Sequence, residues 1–398
     1  MTLFPARPVR RDRRAERPGT MSALTADDRR FLGLTFDLAR RGEGSASPNP
    51  MVGAVLVQGG RMAGSGWHRR AGEEHAEVIA LGEAGEAARG GVLYINLEPC
   101  CHQGRTPPCV DQILARGVRR VVAAMKDPNP LVDGAGFRKL EQAGVAVATV
   151  DPVFARAAGR LNESFVAYIT TGRPFVALKA GMSLDGKIAL PGGASKWITG
   201  DRARAEGRAL RRRYDAVLVG IGTALADDPL LLSEGAPGRV PVRVVLDSRL
   251  RMRADSRLAT TAGEGPVVVF TTEAADPVRW KELEQRGVVV VSAGRARVKI
   301  ENALRHLAAR EVTSVLVEGG GEVLGAFLAE GLADKIHLFV APRILGGPGG
   351  GGVFAGPAPE TLDGAVRLGE WWVRDAGGDL LIEGYPAREG RQDRCSQD

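Results

Sequence analysis

The sequence is short of cysteine, of aromatic side chains and of long apolar runs, and each shortage removes a class of protein. Four cysteines in 398 residues do not make a disulfide framework. Three of them fall between positions 100 and 109, which points to metal binding in a reducing compartment, while Cys395 sits in a polar tail. No apolar run approaches the roughly 18 residues needed to cross a bilayer. Aromatics are 5% of the chain and form no strip interleaved with basic residues, which argues against a nucleic-acid groove. The second half holds no Gly-x-Gly-x-x-Gly between a strand and a helix, so a Rossmann domain has no support there. There is no internal repeat.

Basic charge is present but localised. The net charge of +7 includes +4 from residues 1–20, where Arg7, Arg10, Arg11, Arg13, Arg14 and Arg17 stand against Asp12 and Glu16. That segment reads as a dispensable arm, or as sequence ahead of a start at Met21. Pro5, Pro8 and Pro18 spoil the amphipathic helix of a transit peptide. The weak basic balance elsewhere argues against a nucleic-acid partner, the lack of long apolar runs against a membrane one, and the cysteine usage suits the cytoplasm. Hydrophobic content of 44% with 25% charged residues is ordinary for globular chains, and the length suits two domains.

The pattern along the chain is α/β. Thr25 caps a helix, with Asp27 and Asp28 in its first turn and Phe31, Leu32, Leu34 and Leu38 as its apolar face. A turn-rich loop, Ser45 to Pro50, feeds a strand from Val52 to Val57, and Gly59-Gly60 turns it back as Met62 to Trp67. A helix is expected from near Glu74. Strands follow at Val92–Leu97, Val118–Ala124 and Val145–Val150, with a helix entered at Pro107-Pro108 between the first two. A helical bridge, Pro152 to Ile169, runs to a break at Thr170–Pro174. The second half reads as strands at Phe175–Lys179, Ala216–Gly220, Val242–Asp247, Val267–Thr271, Val288–Val291, Ser314–Glu318 and Ile336–Ala341. Helices are expected around Arg202–Arg213, Val278–Arg286, Ile300–Arg310 and Glu322–Ala329. Domains of 21–169 and 170–386 with a tail of 387–398 follow.

His75-Ala76-Glu77, then Pro99-Cys100 and Cys109, carries the clearest chemistry. One imidazole and two thiolates leave the fourth position of a zinc ion open, the mark of a catalytic site. A zinc ion there lowers the pKa of its water to about 7, and Glu77 is placed to carry the proton. His-x-Glu with Pro-Cys is the signature of zinc deaminases acting on bases and nucleosides. A closed structural zinc site, or a packed histidine, is the plainer alternative, and His-x-Glu alone would not exceed it. The signature expects the second cysteine two residues after the first; here eight residues intervene. Cys101 and His102 are therefore rival ligands. Neighbouring cysteines do not easily reach one tetrahedral ion, so Cys100 is kept and His102 is read as a substrate contact.

The stretch Glu98-Pro-Cys-Cys-His-Gln-Gly-Arg-Thr-Pro-Pro-Cys109 resembles the deaminase half of the bifunctional deaminase–reductase family of riboflavin biosynthesis. Ser47-Pro48-Asn49-Pro50-Met51-Val52-Gly53-Ala54-Val55 and Lys126-Asp127-Pro128-Asn129-Pro130 are similar to two other loops of that family. In the second half, Met182–Ala189, Ser195–Thr199, Gly222-Thr223 and Asp227-Asp228-Pro229 resemble its reductase. The resemblance spans about residues 25 to 385. It implies a cytidine-deaminase-like three-layer domain followed by a dihydrofolate-reductase-like domain, with zinc and NADPH as cofactors and a homo-oligomeric assembly. It also implies two steps on 2,5-diamino-6-ribosylamino-4(3H)-pyrimidinone 5′-phosphate, deamination and then reduction of the ribose. A nucleoside or tRNA deaminase with an unrelated appendage is the rival reading.

Carried over by position, Gly181, Trp197, Thr223, Asp227, Ser248, Gly319, Gly320 and Gly321 would contact the cofactor. Asn49, His102, Lys179, Ser195, Arg211, Leu231 and Glu318 would contact substrate. Read without the resemblance, Trp197 is a core aromatic, Asp227 a turn residue and the glycine run a flexible turn. After Asp-Asp-Pro the family usually has an arginine that helps hold the substrate phosphate; here Leu230-Leu-Leu-Ser-Glu234 puts an acid in its place, for which Arg211 or Arg239 would compensate.

Overall fold

The computed structural model describes residues 24–104, 107–149, 151–233, 240–347 and 351–387. The Arg-rich segment, Glu234, Arg239 and the expected tail beyond residue 387 lie outside them. The strands form two separate sheets.

The first sheet holds β1 (Gly53–Gln58), β2 (Arg61–Trp67), β3 (Val92–Ile95), β4 (Arg120–Ala123) and β5 (Ala146–Thr149), in the order β2-β1-β3-β4-β5. β1 is antiparallel to both its neighbours, and β3, β4 and β5 are parallel. Alternation along β1 sorts the layers. Ala54 and Leu56 join Ala76, Ala80, Val110, Ile113, Phe137 and Leu140, so helices Ala76–Ala84, Cys109–Ala115 and Ala135–Gln142 cover one face. Val55 and Val57 join Phe31, Leu32, Phe36 and Ala158, so helices Ala26–Ala39 and Pro152–Leu161 cover the other. The result is a three-layer α/β/α domain. Gly66 brings helix Ala76–Ala84 onto β2, since a Cβ there would lie 2.5 Å from the Ala76 carbonyl oxygen.

The second sheet holds β6 (Phe175–Ser183), β7 (Ala216–Gly220), β8 (Val242–Leu246), β9 (Val267–Thr271), β10 (Val289–Ser292), β11 (Ser314–Val317), β12 (Lys335–Ala341), β13 (Leu368–Asp375) and β14 (Leu380–Pro386). Its order is β10-β9-β8-β7-β11-β6-β12-β14-β13, parallel from β10 through β12 and closed by an antiparallel hairpin. Helices Ile300–Ala308 and Gly321–Ala329 pack on one face. Asp201–Ala209, Ile221–Asp227 and Pro277–Gln285 pack on the other.

Three features depart from the sequence expectation. The helical bridge is two helices, Pro152–Leu161 and Glu163–Thr171. Between them Asn162 leaves helical geometry, and its buried amide accepts from the Met51 N–H and donates to the Met51 carbonyl. The helix is broken to anchor the loop that enters β1. The β13–β14 hairpin was not expected, because β13 is exposed along nearly its whole length and shows no buried face to the pattern. Helices Ala135–Gln142 and Ile221–Asp227 were likewise unmarked; each is under nine residues.

Candidate functional site

His75 caps helix Ala76–Ala84 with extended backbone, and Glu77 lies in the first turn. Cys109 begins helix Cys109–Ala115 and is fully buried, while Cys100 lies in the loop between β3 and that helix. This brings one donor atom from each of His75, Cys100 and Cys109 within 4.8 Å of the others. His75 Nδ1 lies 3.6 Å from Cys100 Sγ and 3.1 Å from Cys109 Sγ. Tetrahedral zinc with ordinary bond lengths needs donors about 3.6–3.8 Å apart, so the cluster fits the ion with a small relaxation. Hydrogen bonds from the Cys109 thiol and His75 bring the Cys100 thiol down to about 4, while the hydrogen bond to Cys100 and burial push the Cys109 thiol up. Burial raises the Glu77 carboxyl to about 7, with Cys100 adding and His75 opposing. A group poised near neutrality suits proton transfer in both directions.

Supporting residues were missed from the sequence. Glu98 is buried and its carboxylate accepts from four backbone N–H groups, those of Asp127, Gly134, Gly136 and Phe137. It ties the Pro99-Cys100 turn to helix Ala135–Gln142 and to the 126–130 loop. His68, at the end of β2, is buried with its ring edge-on to His75, centroids 5.3 Å apart. Burial lowers its pKa, so it is neutral. Its Nδ1–H donates to the Glu74 carbonyl (3.1 Å), which leaves Nε2 to accept from the Asn49 amide at 3.0 Å. Asn49 therefore has its amide oxygen available to accept from a ligand. No motif marks His68; the only signal was that it is one of five histidines and stands seven residues before His75. Among the described residues, the buried Nδ1 of His102 has no hydrogen-bond partner, and the residue lies in the cysteine loop.

The second constellation lies at the carboxyl ends of parallel strands, where open α/β sheets bind ligands. Gly181 is near the end of β6, and a Cβ there would meet Thr199 at 3.1 Å. The adjoining Trp197 is exposed under the Arg204 guanidinium at 4.4 Å, and its peptide bond with Lys196 is cis. It is not the core aromatic that the residue type alone suggested. Lys196 Nζ lies 3.4 Å from Asp227 Oδ1, so this loop meets the end of helix Ile221–Asp227. Gly319, Gly320 and Gly321 connect β11 to helix Gly321–Ala329, whose start has no side-chain cap. A Cβ on Gly320 would face Thr223 Oγ1 at 3.9 Å, and one on Gly321 would strike the Gly352 carbonyl at 2.1 Å. Uncapped N–H groups beside a glycine cradle fit the phosphates of a dinucleotide. Ser248 follows β8, where its hydroxyl accepts from the Val298 N–H.

Glu318 is the first residue after β11. Its carboxylate accepts from Arg211 Nε and Nη2, at 2.7 and 3.0 Å, and Lys179 Nζ approaches at 3.7 Å. Burial alone would raise the Glu318 pKa; Lys179 and Arg211 outweigh it and hold the value low. Arg211 also donates to the Leu232 carbonyl, reaching the segment that lacks the expected arginine. Leu231 has left-handed backbone and a buried side chain in the core beside β7, so only its main chain faces outward contacts. Ser195 is exposed on the loop before Trp197. The structure thus gathers Lys179, Arg211 and Glu318 into one cluster, and leaves Ser195 apart from its hydrogen bonds.

Residues 174–379 match the family model described as the RibD C-terminal domain, and residues 25–125 match that of the cytidine and deoxycytidylate deaminase zinc-binding region. The riboflavin biosynthesis protein RibD of Aquifex aeolicus is 41% identical over 357 residues, covering 89% of this chain and 97% of that protein. The Escherichia coli K12 protein of the same name is 37% identical over 368 residues, covering 89% and 98%. Among solved structures, Acinetobacter baumannii RibD (form 2) superposes with a TM-score of 0.81 at 34% identity, over 91% of this chain and 99% of that one. A Thermotoga maritima diaminohydroxyphosphoribosylaminopyrimidine deaminase/5-amino-6-(5-phosphoribosylamino)uracil reductase gives 0.79 at 36% identity, with the same coverage.

Proposed function

The chain belongs to the RibD family, bifunctional enzymes of riboflavin biosynthesis that join a zinc-dependent deaminase to an NADPH-dependent reductase, and on that basis we propose how its residues divide the work. The substrate is 2,5-diamino-6-ribosylamino-4(3H)-pyrimidinone 5′-phosphate, and the boundary between the halves falls at 170–174. The observation that carries the reading is the His75–Cys100–Cys109 cluster with buried Glu77 in the adjoining helical turn.

In the first half, zinc held by His75, Cys100 and Cys109 would supply an activated water. Glu77 accepts a proton from that water, delivers it to the ring nitrogen and assists the departing amine. The amino-bearing carbon becomes a carbonyl and ammonia leaves. Asn49 and His102 orient the ring. In the second half, NADPH would supply the hydride that reduces C1′ of the opened ribose. Gly181, Trp197, Thr223, Asp227, Ser248 and Gly319–Gly321 hold the dinucleotide. Lys179, Arg211 and Glu318, with Ser195 and the Leu231 main chain, hold the sugar phosphate end, and Arg211 supplies the cation that Glu234 does not. The enzyme works as a homo-oligomer in the cytoplasm on a small molecule, without nucleic acid or membrane; no described helix is long and apolar enough to cross a bilayer.

Incubation with the diaminopyrimidine phosphate tests the reading. Ammonia release without NADPH, followed by NADPH oxidation on the same material, is expected. Release from cytidine or tRNA, and none from the diaminopyrimidine, would overturn it in favour of the rival deaminase.

A further inference from the structure

Five consecutive residues of the second half, Arg211 to Asp215, touch both constellations. Arg211 binds Glu318 as described. The Arg212 carbonyl oxygen would lie 2.6 Å from a Cβ on Gly44, so only glycine fits against it there. Arg213 Nε is 2.7 Å from Glu43 Oε1. Tyr214 is buried, with its hydroxyl 3.0 Å from His337 Nε2. Asp215 is buried at the start of β7, where its N–H donates to Ser314 Oγ and its carbonyl accepts from the Val242 N–H. One carboxylate oxygen, Oδ2, accepts three hydrogen bonds. Two come from the Thr313 N–H and hydroxyl, both at 2.7 Å, and the third from Ser47 Oγ at 2.8 Å. Ser47 belongs to the other half, two residues before Asn49.

We propose that Asp215, although part of the reductase half, is a positioning residue of the deaminase: through Ser47 it fixes the turn that presents Asn49 to substrate. The inference rests on the functional reading above, in which Asn49 meets the ring. Asn49 is held at one end, since its amide donates to His68 and its N–H to the Ala46 carbonyl. Met51, beyond it, is pinned by Asn162 and Asn96. On the near side the Ser45 hydroxyl donates to the Arg69 carbonyl, and the Ser47 hydroxyl, nearer to Asn49, donates to a carboxylate already fixed by the second sheet. A hydrogen bond to a charged acceptor is about twice as strong as a neutral one, enough to decide between conformers of a short turn. Because the same segment begins with Arg211, the deaminase turn and the reductase cluster share one support, only five residues long from Arg211 to Asp215.

The full-length Ser47→Ala and Ser47→Thr enzymes test this. Ammonia release is measured against the diaminopyrimidine phosphate, and NADPH oxidation separately on material already deaminated. Ser47→Ala is expected to raise the deaminase KM roughly ten-fold, the size of one lost charge-assisted hydrogen bond. Deaminase kcat, bound zinc and reductase kinetics stay as in the unmodified enzyme, and Ser47→Thr, which keeps the hydroxyl, restores KM. An unchanged KM, a parallel fall of both activities, or no recovery in Ser47→Thr would each overturn the proposal. Failure of the unmodified enzyme to release ammonia would instead refute the functional reading, so the two failures are distinct.

Discussion

In the proposed mechanism Glu77 carries the proton transfers of the deamination. Its carboxyl is buried and hydrogen-bonds Cys109 of the metal-ligand cluster. Glu77→Gln is expected to keep zinc and lower deaminase kcat by roughly 10²–10⁴-fold, the usual worth of a general acid–base group; metal analysis beside an ammonia assay checks it. Unchanged turnover would remove Glu77 from the role. Of the residues around it, His75, Cys100 and Cys109 were legible because deaminase chemistry needs those types in that order. His68 and Glu98 were not, since each acts through contacts made far away in sequence: His68 through Asn49, Glu98 through Asp127 and Gly136. The choice of Cys100 over Cys101 rests on adjacency, which admits one of the two, and on Pro99 before Cys100; the geometry places Cys100 in the cluster.

At the scale of elements, the cysteine loop depends on Glu98 holding four N–H groups of a neighbouring loop and helix. Glu98→Ala frees that turn, and zinc affinity is expected to fall about 10–100-fold, as for other groups that orient metal ligands; chelator competition measures it. The first helix is tied down by Asp28, whose buried carboxylate accepts from Thr25 N–H, the Tyr94 hydroxyl and both Arg120 terminal nitrogens. Burial opposes ionisation, but these partners outweigh it and lower the pKa. A carboxyl whose folded pKa is depressed adds stability above its unfolded value of about 4, and that stability disappears as pH falls toward the folded value. Urea midpoints of the unmodified protein are therefore expected to drop below pH 4 more steeply than those of Asp28→Asn, which starts lower at pH 7. Parallel curves would contradict this. The helix itself was legible from its Thr25 cap and apolar face, whereas the β13–β14 hairpin was not, because an edge strand exposed on both sides carries no periodic signal.

Across the whole molecule the two sheets keep their own cores; Ala167 of helix Glu163–Thr171 packs into an apolar cluster of the second sheet, and polar pairs also join the halves. Ser47 meets Asp215, Arg213 meets Glu43, and Lys335 meets Glu163 at 2.9 Å. Such an interface lets each site keep its own chemistry while the chain fixes their relation. The order of strands in each sheet was not legible, since β11 enters between β6 and β7 only through non-local pairing. The central claim is that one chain carries a metal-dependent and a metal-independent activity at separate sites. Treating the enzyme with a zinc chelator, and then restoring zinc, tests it most directly. Ammonia release from the diaminopyrimidine phosphate should vanish and return, while NADPH oxidation on the deaminated compound continues throughout. Loss of both activities together, or ammonia release that survives complete removal of zinc, would contradict the account.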